Sequence, residues 1–151
     1  MAQHFWFLDT RVAVLISCEH GADRISLLEH WAPHGDSPPL HVHRNEDEVF
    51  HLLEGELRFR LAETELHARA GQSLLAPKGV PHTYRVESAD GARWLTITCG
   101  EEFERFIRAF GRPAQRAGLP ERSGPPTPAQ AEALASACRQ HGIELVGPPL
   151  S

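Results

Sequence analysis

The sequence predicts a mainly β protein, a single barrel followed by C-terminal helices. The first 100 residues consist of short apolar runs separated by Gly, Pro, Asp and Asn turns, a pattern typical of β-barrels and sandwiches. The run from Glu56 to Leu61 alternates apolar with polar residues, as a half-buried strand does. Beyond Gly100 the apolar residues recur with a helical period. We therefore expect a barrel over residues 1–100 and a helical extension over residues 101–151 that packs on it without forming an independent domain.

Turn signals bound the barrel strands in chain order. A Gly-Ala-Asp turn at residue 21 separates the first two apolar runs, and an Asp-Gly turn at residue 90 precedes the last one. The predicted strands cover residues 12–17, 24–31, 48–53, 56–61, 73–76, 82–86 and 93–99. On the last strand, either of two alternating sets of side chains could face the interior: Trp94, Thr96 and Thr98, or Leu95, Ile97 and Cys99.

Two helices are predicted beyond the barrel. The first carries an apolar stripe at helical spacing, formed by Phe103, Phe106, Ile107 and Phe110. Such a stripe needs an apolar partner, and we expect it to dock on the outer barrel wall. The Pro-, Gly- and Arg-rich residues 112–128 read as an exposed, mobile connector. Thr127-Pro-Ala-Gln is a capping box that opens a second helix, which runs to about His141.

The bulk composition narrows the function classes. A chain of 151 residues is long enough for one domain with a barrel-sized core. A formal net charge of -5 argues against a nucleic-acid partner. Apolar runs are too short for a membrane span, and the start lacks a signal-peptide pattern. Three widely spaced cysteines favour reduced thiols in a cytoplasm over a disulfide framework.

Two motifs supply a set of candidate metal ligands. The first reads G-x5-H-x-H-x4-E-x6-G, and the second reads G-x5-P-x-G-x2-H. The two histidines of the first motif are two residues apart, so on a strand they share a face. Three imidazoles and one carboxylate suit one divalent ion of Fe, Mn, Ni, Co, Cu or Zn, and suit Ca poorly. The candidate ligands are His41, His43, Glu48 and His82.

Four further residues are candidates for the wall of a substrate cavity. Phe50 and Leu52 share the strand face of Glu48, Phe59 lies on the apolar face of its strand, and Tyr84 is two residues past His82. Each could equally be plain barrel core. Other histidines are weaker candidates: His51 lies on the face opposite Glu48, whereas His30 and His34 flank the loop before the first motif, from which one could reach the cavity mouth.

The two motifs together resemble those of the cupins, with all four ligand positions filled. Val86 departs from the family pattern, which often has Asn there, but that position is not a ligand. The stretch from Pro39 to Gly55, and the passage Gly100-Glu-Glu-Phe-Glu, are similar to quercetin (flavonol) 2,3-dioxygenase-like cupins. The resemblance implies a double-stranded β-helix, or jelly-roll, barrel. It also implies a metal held by three His and one Glu, with Glu48 as ligand or catalytic base.

Three functions stay open on this evidence. The resemblance favours a non-haem dioxygenase that acts on a small enolisable or aromatic substrate. The same ion could serve a metal-dependent isomerase, lyase or hydrolase, although the fixed positions of the motifs offer no second carboxylate or Lys as a separate base. A non-catalytic small-molecule-binding barrel is the third. We also expect a homodimer, because barrel edges invite pairing and the apolar start Phe5-Trp-Phe-Leu could add a strand to a partner.

Overall fold

The computed structural model describes residues 2–151 and has two antiparallel sheets that face each other. The strands before the first helix are β1 (Gln3–Phe7), β2 (Thr10–Ile16), β3 (Ile25–Ala32), β4 (Leu40–His43), β5 (Glu48–Glu54), β6 (Glu56–Leu61), β7 (Thr64–Arg69), β8 (Ser73–Ala76), β9 (His82–Val86) and β10 (Ala92–Cys99). The remaining elements are α1 (Glu102–Phe110), β11 (Arg112–Pro113), α2 (Pro128–Gln140) and β12 (Ile143–Gly147).

Strand order gives the barrel its jelly-roll form. The larger sheet runs β11-β1-β2-β3-β10-β5-β8, and the smaller runs β12-β4-β9-β6-β7. Strand β12 comes from beyond both helices, yet it pairs with β4, with Leu145 opposite His41. The predicted jelly roll with C-terminal helices is therefore confirmed. The division into a barrel over 1–100 and an extension over 101–151 stays a prediction. The extension also contributes one strand, β12, to the smaller sheet.

Of the two alternating sets on β10, the one formed by Trp94, Thr96 and Thr98 faces the barrel interior. All three are buried, whereas Cys99 on the other face is exposed. Register with β5 places Thr98 opposite Glu48 and Thr96 opposite Phe50. Because residues directly opposite share a face of the sheet, the polar threonines and Trp94 face the barrel interior together with the Glu48 row.

Helix α1 lies on the inner side of the larger sheet, so the expected docking on the outer wall is wrong. Phe106 and Ile107 are buried in one cluster with Val12 and Leu28. Leu28 pairs with Thr96, which places it on the interior face. The larger sheet presents more inner apolar surface than the smaller sheet covers, and the α1 stripe supplies the missing cover. The predicted stripe and the predicted helix are both present.

The first strand and the connector pair with each other. Strand β1 lies between β2 and β11, so the apolar start is engaged within its own chain and offers no free edge to a partner. The Trp6 indole donates to the Gly118 carbonyl over 3.0 Å. The capping box at Thr127 is formed as predicted, because its hydroxyl accepts from the Gln130 N–H. Mobility of the connector stays a prediction.

Candidate metal centre

Four side chains from three strands converge on one point inside the barrel. His41 and His43 project from β4, and His82 on β9 is the direct cross-strand partner of His41. Glu48 opens β5 in the opposite sheet. One potential ligand atom from each of the four lies within 4.8 Å of all the others, and the group could hold a metal ion. The predicted ligand set is therefore assembled in space.

The donor spacing suits a small divalent ion. Glu48 Oε2 lies 3.2 Å from His43 Nε2 and 3.1 Å from His82 Nε2. Two ligands that each lie about 2.1 Å from one ion at right angles are about 3 Å apart. His41 Nδ1 donates to the Pro39 carbonyl over 2.7 Å, which leaves Nε2 as its free donor atom. Such an outer hydrogen bond fixes the tautomer and ring orientation of metal-binding histidines.

The protonation state also suits a metal. Burial, together with the neighbouring His82 and His43, lowers the pKa of His41 to about 3. Burial likewise lowers the pKa of His43. For Glu48, burial acts to raise the pKa, but the three imidazoles outweigh it and lower the pKa to about 2. Metal ligands bind as neutral imidazole and ionised carboxylate, and this environment favours both.

A cavity of about 840 Å³ opens onto the cluster, where His41, His43 and Glu48 line it. This volume lies in the range of pockets that enclose a small organic ligand. Helices α1 and α2 and part of the connector, residues 122–126, form the wall that the two sheets leave open. Of the predicted cavity residues, Phe50 and Tyr84 line it. The aromatic lining comprises Phe7, Phe50, Tyr84, Trp94, Phe103 and Phe106.

Leu52 and Phe59, the other two predicted cavity residues, belong to the barrel core instead. Both are fully buried in a cluster with Leu57 and Val86. The Phe59 ring lies parallel to that of His82 with centroids 5.8 Å apart, and edge-on to Phe50 at 5.0 Å. Those neighbours separate Phe59 from the cavity. Large side chains fill this part of the interior to close packing.

Two further polar residues line the cavity, of which His30 was only a weaker candidate from sequence and Asp36 was not predicted. His30 is buried on the inner face of β3, with its ring stacked on Trp94 at a centroid distance of 5.2 Å. Burial lowers the pKa of His30 to about 4. Asp36 lines the cavity and accepts from the Thr10 hydroxyl, and burial raises its pKa to about 6. The alternation of Leu28 and His30 along β3 is the signal that could have placed His30 inside.

Comparisons with known proteins agree with this geometry. A family model described as "Cupin domain" matches residues 27–98. Quercetin 2,3-dioxygenase from Bacillus subtilis strain 168 is 30% identical over 86 residues, which cover 57% of this chain and 25% of that protein. The chain thus spans about a quarter of the length of this curated relative.

Solved structures share the fold. The TT1209 protein from Thermus thermophilus is 31% identical with a TM-score of 0.50, covering 58% of this chain and 84% of that one. A predicted oxalate decarboxylase from Thermotoga maritima is 20% identical with a TM-score of 0.58, covering 66% and 91%. The polyketide cyclase RemF from Streptomyces resistomycificus is 24% identical with a TM-score of 0.54, covering 75% and 74%.

Within residues 2–151, no helix combines the length and the apolar character needed to cross a membrane.

The matched domain includes β4, β5 and β9, the three strands that carry the histidine and glutamate cluster. The double motif, the jelly-roll topology and the family match all point the same way: residues 27–98 form a cupin domain, with a candidate metal site at His41, His43, Glu48 and His82.

Proposed function

We propose that this cupin is a metal-dependent dioxygenase that acts on a small enolisable or aromatic substrate. The observation that carries the proposal is the position of the cluster, which stands at the wall of an aromatic-lined cavity of about 840 Å³. The partial match to quercetin 2,3-dioxygenase supports the same chemistry. His41, His43, Glu48 and His82 would hold one divalent ion of Fe, Mn, Ni, Co, Cu or Zn.

The residues around the cluster divide the remaining tasks. When bound, the metal would supply Lewis acidity toward a substrate oxygen and, if redox-active, electron exchange with oxygen. Glu48 would accept a proton from a substrate hydroxyl at that oxygen, as a general base. Phe50 and Tyr84 line the same cavity. They would hold an aromatic ring by stacking and edge contacts and keep water away from it.

Metal analysis and oxygen uptake test the proposal together. The protein is purified without oxygen, its metal content is measured, and each candidate ion is added back to metal-free protein. Oxygen consumption is then followed on a panel of flavonols and β-diketones. Uptake with at least one member, dependent on the metal and absent in His82→Ala, supports the proposal. A metal-loaded protein that consumes no oxygen with any member contradicts it.

Asp36 favours one alternative, a metal-dependent isomerase, lyase or hydrolase. The fixed positions of the motifs include no second carboxylate, but Asp36, at a variable position of the first motif, brings one to the cavity wall from the loop before β4. Burial raises the pKa of Asp36 to about 6, which suits a proton-transfer group near neutral pH. Metal-dependent conversion of a diketone without oxygen consumption, lost in Asp36→Asn, would favour this second function.

We also propose a homodimer, formed by the outer face of the larger sheet rather than by the apolar start. Register aligns one apolar side chain from each of five neighbouring strands into a row: Leu75, Val49, Ile97, Leu27 and Ile16. Leu75 is 51% exposed and Ile16 is 44% exposed. Five strands span about 19 Å, a width that fits the contact face of a standard two-protein interface.

Light scattering tests the dimer at micromolar concentration. The wild type should have twice the mass of the chain, and Ile97→Glu at the centre of the row should convert it to the mass of one chain. Arg69→Glu, an exposed change on the smaller sheet, serves as the charge control. A single-chain mass for the wild type would contradict the proposal.

We also propose a reducing, cytoplasmic location, since Cys18, Cys99 and Cys138 are free thiols.

A further inference from the structure

Three buried polar atoms on neighbouring inner positions have no partner within the protein. Across residues 2–151, no group hydrogen-bonds to His30 Nε2, Trp94 Nε1 or Thr96 Oγ1. His30 and Trp94 are direct cross-strand partners on β3 and β10, and Thr96 is the next inner residue on β10. Buried polar groups are almost always hydrogen-bonded, and an unpaired one costs free energy. A grouping of three on one patch therefore points to a ligand that pairs with them.

The patch belongs to the same cavity as the metal cluster. His30, Trp94 and Thr96 all line it. Along the larger sheet, the row containing Trp94 and His30 lies two inner rows from the row of Glu48. These rows are about 13 Å apart along the strands. The cavity therefore has two polar regions, the cluster of metal ligands and the patch around His30.

The wall between these polar regions is aromatic. The Phe103 ring lies 5.5 Å from that of His43 and 6.0 Å from that of His30, centroid to centroid. One phenyl ring therefore reaches both regions. Its contact with His30 is nearly parallel, with an interplanar angle of 17°. Stacked and edge-on aromatic walls favour flat, apolar ring systems. A ligand that fills this space is planar through its middle and polar at its two ends.

We infer that His30, supported by Trp94 and Thr96, is the distal anchor of the substrate. It hydrogen-bonds a hydroxyl or carbonyl group of a bicyclic or larger aromatic ligand. The other polar end of that ligand lies at the metal cluster. This inference deepens the proposed function, because it names the substrate class for the same cavity. His30 acts as a positioning and specificity-determining residue. It selects hydroxylated ring systems over bare ones, because an apolar ligand leaves its ring nitrogen unpaired.

A matched probe pair tests this anchor without any turnover. 2-Naphthol and 2-methylnaphthalene have nearly the same shape and differ by one hydroxyl group. Equilibrium dialysis gives the dissociation constant of each probe for the wild type, and for the His30→Leu and His30→Gln variants. One hydrogen bond to a buried group corresponds to about a tenfold preference for 2-naphthol. His30→Leu should remove this preference, and His30→Gln should keep part of it.

Two further variants locate the interaction. His51→Leu changes a histidine on the outer face and should bind both probes as the wild type does. His41→Ala removes a candidate metal ligand and should retain the preference. The inference is overturned if neither probe binds the wild type, if the wild type shows no preference, or if the preference survives in His30→Leu. Loss of the preference in His41→Ala alone would place the hydroxyl at the metal cluster and also overturn it.

The outcome is independent of the oxygenase proposal. A protein that binds 2-naphthol through His30 but consumes no oxygen with flavonols retains the anchor and loses the proposed reaction. Thermal unfolding of each variant shows that it is folded. If His30→Leu does not fold, His30→Gln decides the test, because a preference undiminished from that of the wild type would show that the imidazole is not the anchor.

Discussion

The backbone N–H of Phe103 donates to Glu46 Oε1 over 2.8 Å, which joins the start of helix α1 to the loop between the ligand-bearing strands β4 and β5. Glu46 is almost fully buried, at 3% exposure. It supplies the acceptor that the helix start requires, since the Glu101 side chain provides no cap. Helix α1 and the metal cluster are therefore connected by one carboxylate that is not itself a ligand.

Removal of this carboxylate should destabilise the protein. We expect Glu46→Ala to lower the free energy of unfolding by about 1–3 kcal/mol, because a helix-start N–H loses its acceptor inside the protein. Glu46→Gln keeps an acceptor oxygen and should lose less. Urea unfolding measures both. Glu63→Gln, at a side chain with 95% exposure, is the control. Equal stability of Glu46→Ala and wild type would contradict the role.

Loss of any one imidazole should empty the metal site. The His41→Ala, His43→Ala and His82→Ala proteins each keep three of the four candidate ligands. Since each imidazole is one of only four protein donors, its loss weakens binding, and we expect the metal content after dialysis to fall about tenfold or more in each. Elemental analysis after dialysis measures this, with His51→Ala as the control on the outer face. Full occupancy in all three variants would refute the assignment.

Glu48→Gln separates a base from a ligand. As a base, Glu48 is required for proton transfer, and the Gln variant should keep metal and substrate but lose turnover by roughly 100-fold. As a ligand only, the variant should bind metal more weakly and recover activity in excess metal. Metal content and rate are measured on the same sample. Turnover equal to the wild type at ordinary metal concentration would exclude a catalytic role for Glu48.

Asp36 should make stability depend on pH. Burial raises its pKa from 3.8 unfolded to about 6 folded, so the protonated form is favoured in the folded state. The stabilisation is complete below pH 3.8 and is lost as the pH rises through about 6. Asp36→Asn imitates the protonated form, and should be about 2 kcal/mol more stable than wild type at about pH 8. The difference in free energy of unfolding between the variant and the wild type should vanish at about pH 4.

Urea unfolding at both pH values measures the effect of the Asp36 substitution. Asp23→Asn, an exposed aspartate, is the matched control and should change stability little at either pH. A variant with the same stability as the wild type at the higher pH would show that the Asp36 carboxyl is well solvated.

The connector should be the first site of proteolysis, and Asp9 should protect it. Asp9 Oδ1 accepts from both the backbone N–H and the hydroxyl of Ser123, over 3.1 and 3.2 Å. Because few buried contacts hold residues 112–126, we expect a low free energy of local opening there. Asp9→Ala should accelerate cleavage within the connector severalfold, as followed by mass spectrometry. Cleavage inside α1 before the connector would contradict this prediction.

The metal cluster could be predicted from sequence because its determinants are local. The spacing of His41 and His43 on one strand fixes a common face, and the turn before His82 fixes where β9 begins. Alternation predicts which face a side chain takes, but it does not predict which inward side chains stay uncovered. Leu52 and Phe59 point inward as predicted, yet both are packed in the core cluster, while their cross-strand partners Trp94 and Tyr84 line the cavity.

The position of helix α1 depends on a relation between distant segments. An apolar stripe predicts that Phe106 and Ile107 will be covered, but not by which surface. Only the assembled sheets show that Val12 and Leu28 remain uncovered on the inside. His30 was only a weaker candidate from sequence for a similar reason. Its neighbours in sequence are ordinary strand residues, and its importance comes from Trp94 across the sheet.

The pairing of β12 with β4 has a consequence for how the site matures. Strand β4 meets β9 through the single register pair of His41 and His82, whereas four register pairs join it to β12. The segment that secures the two histidines of β4 thus lies about a hundred residues further along the chain. Contacts of such long sequence separation form late in folding. During translation, the first motif would leave the ribosome well before strand β4 is held in place by β12. The site would therefore bind its ion only in the folded protein, and the ion bound would depend on the metals available at that stage.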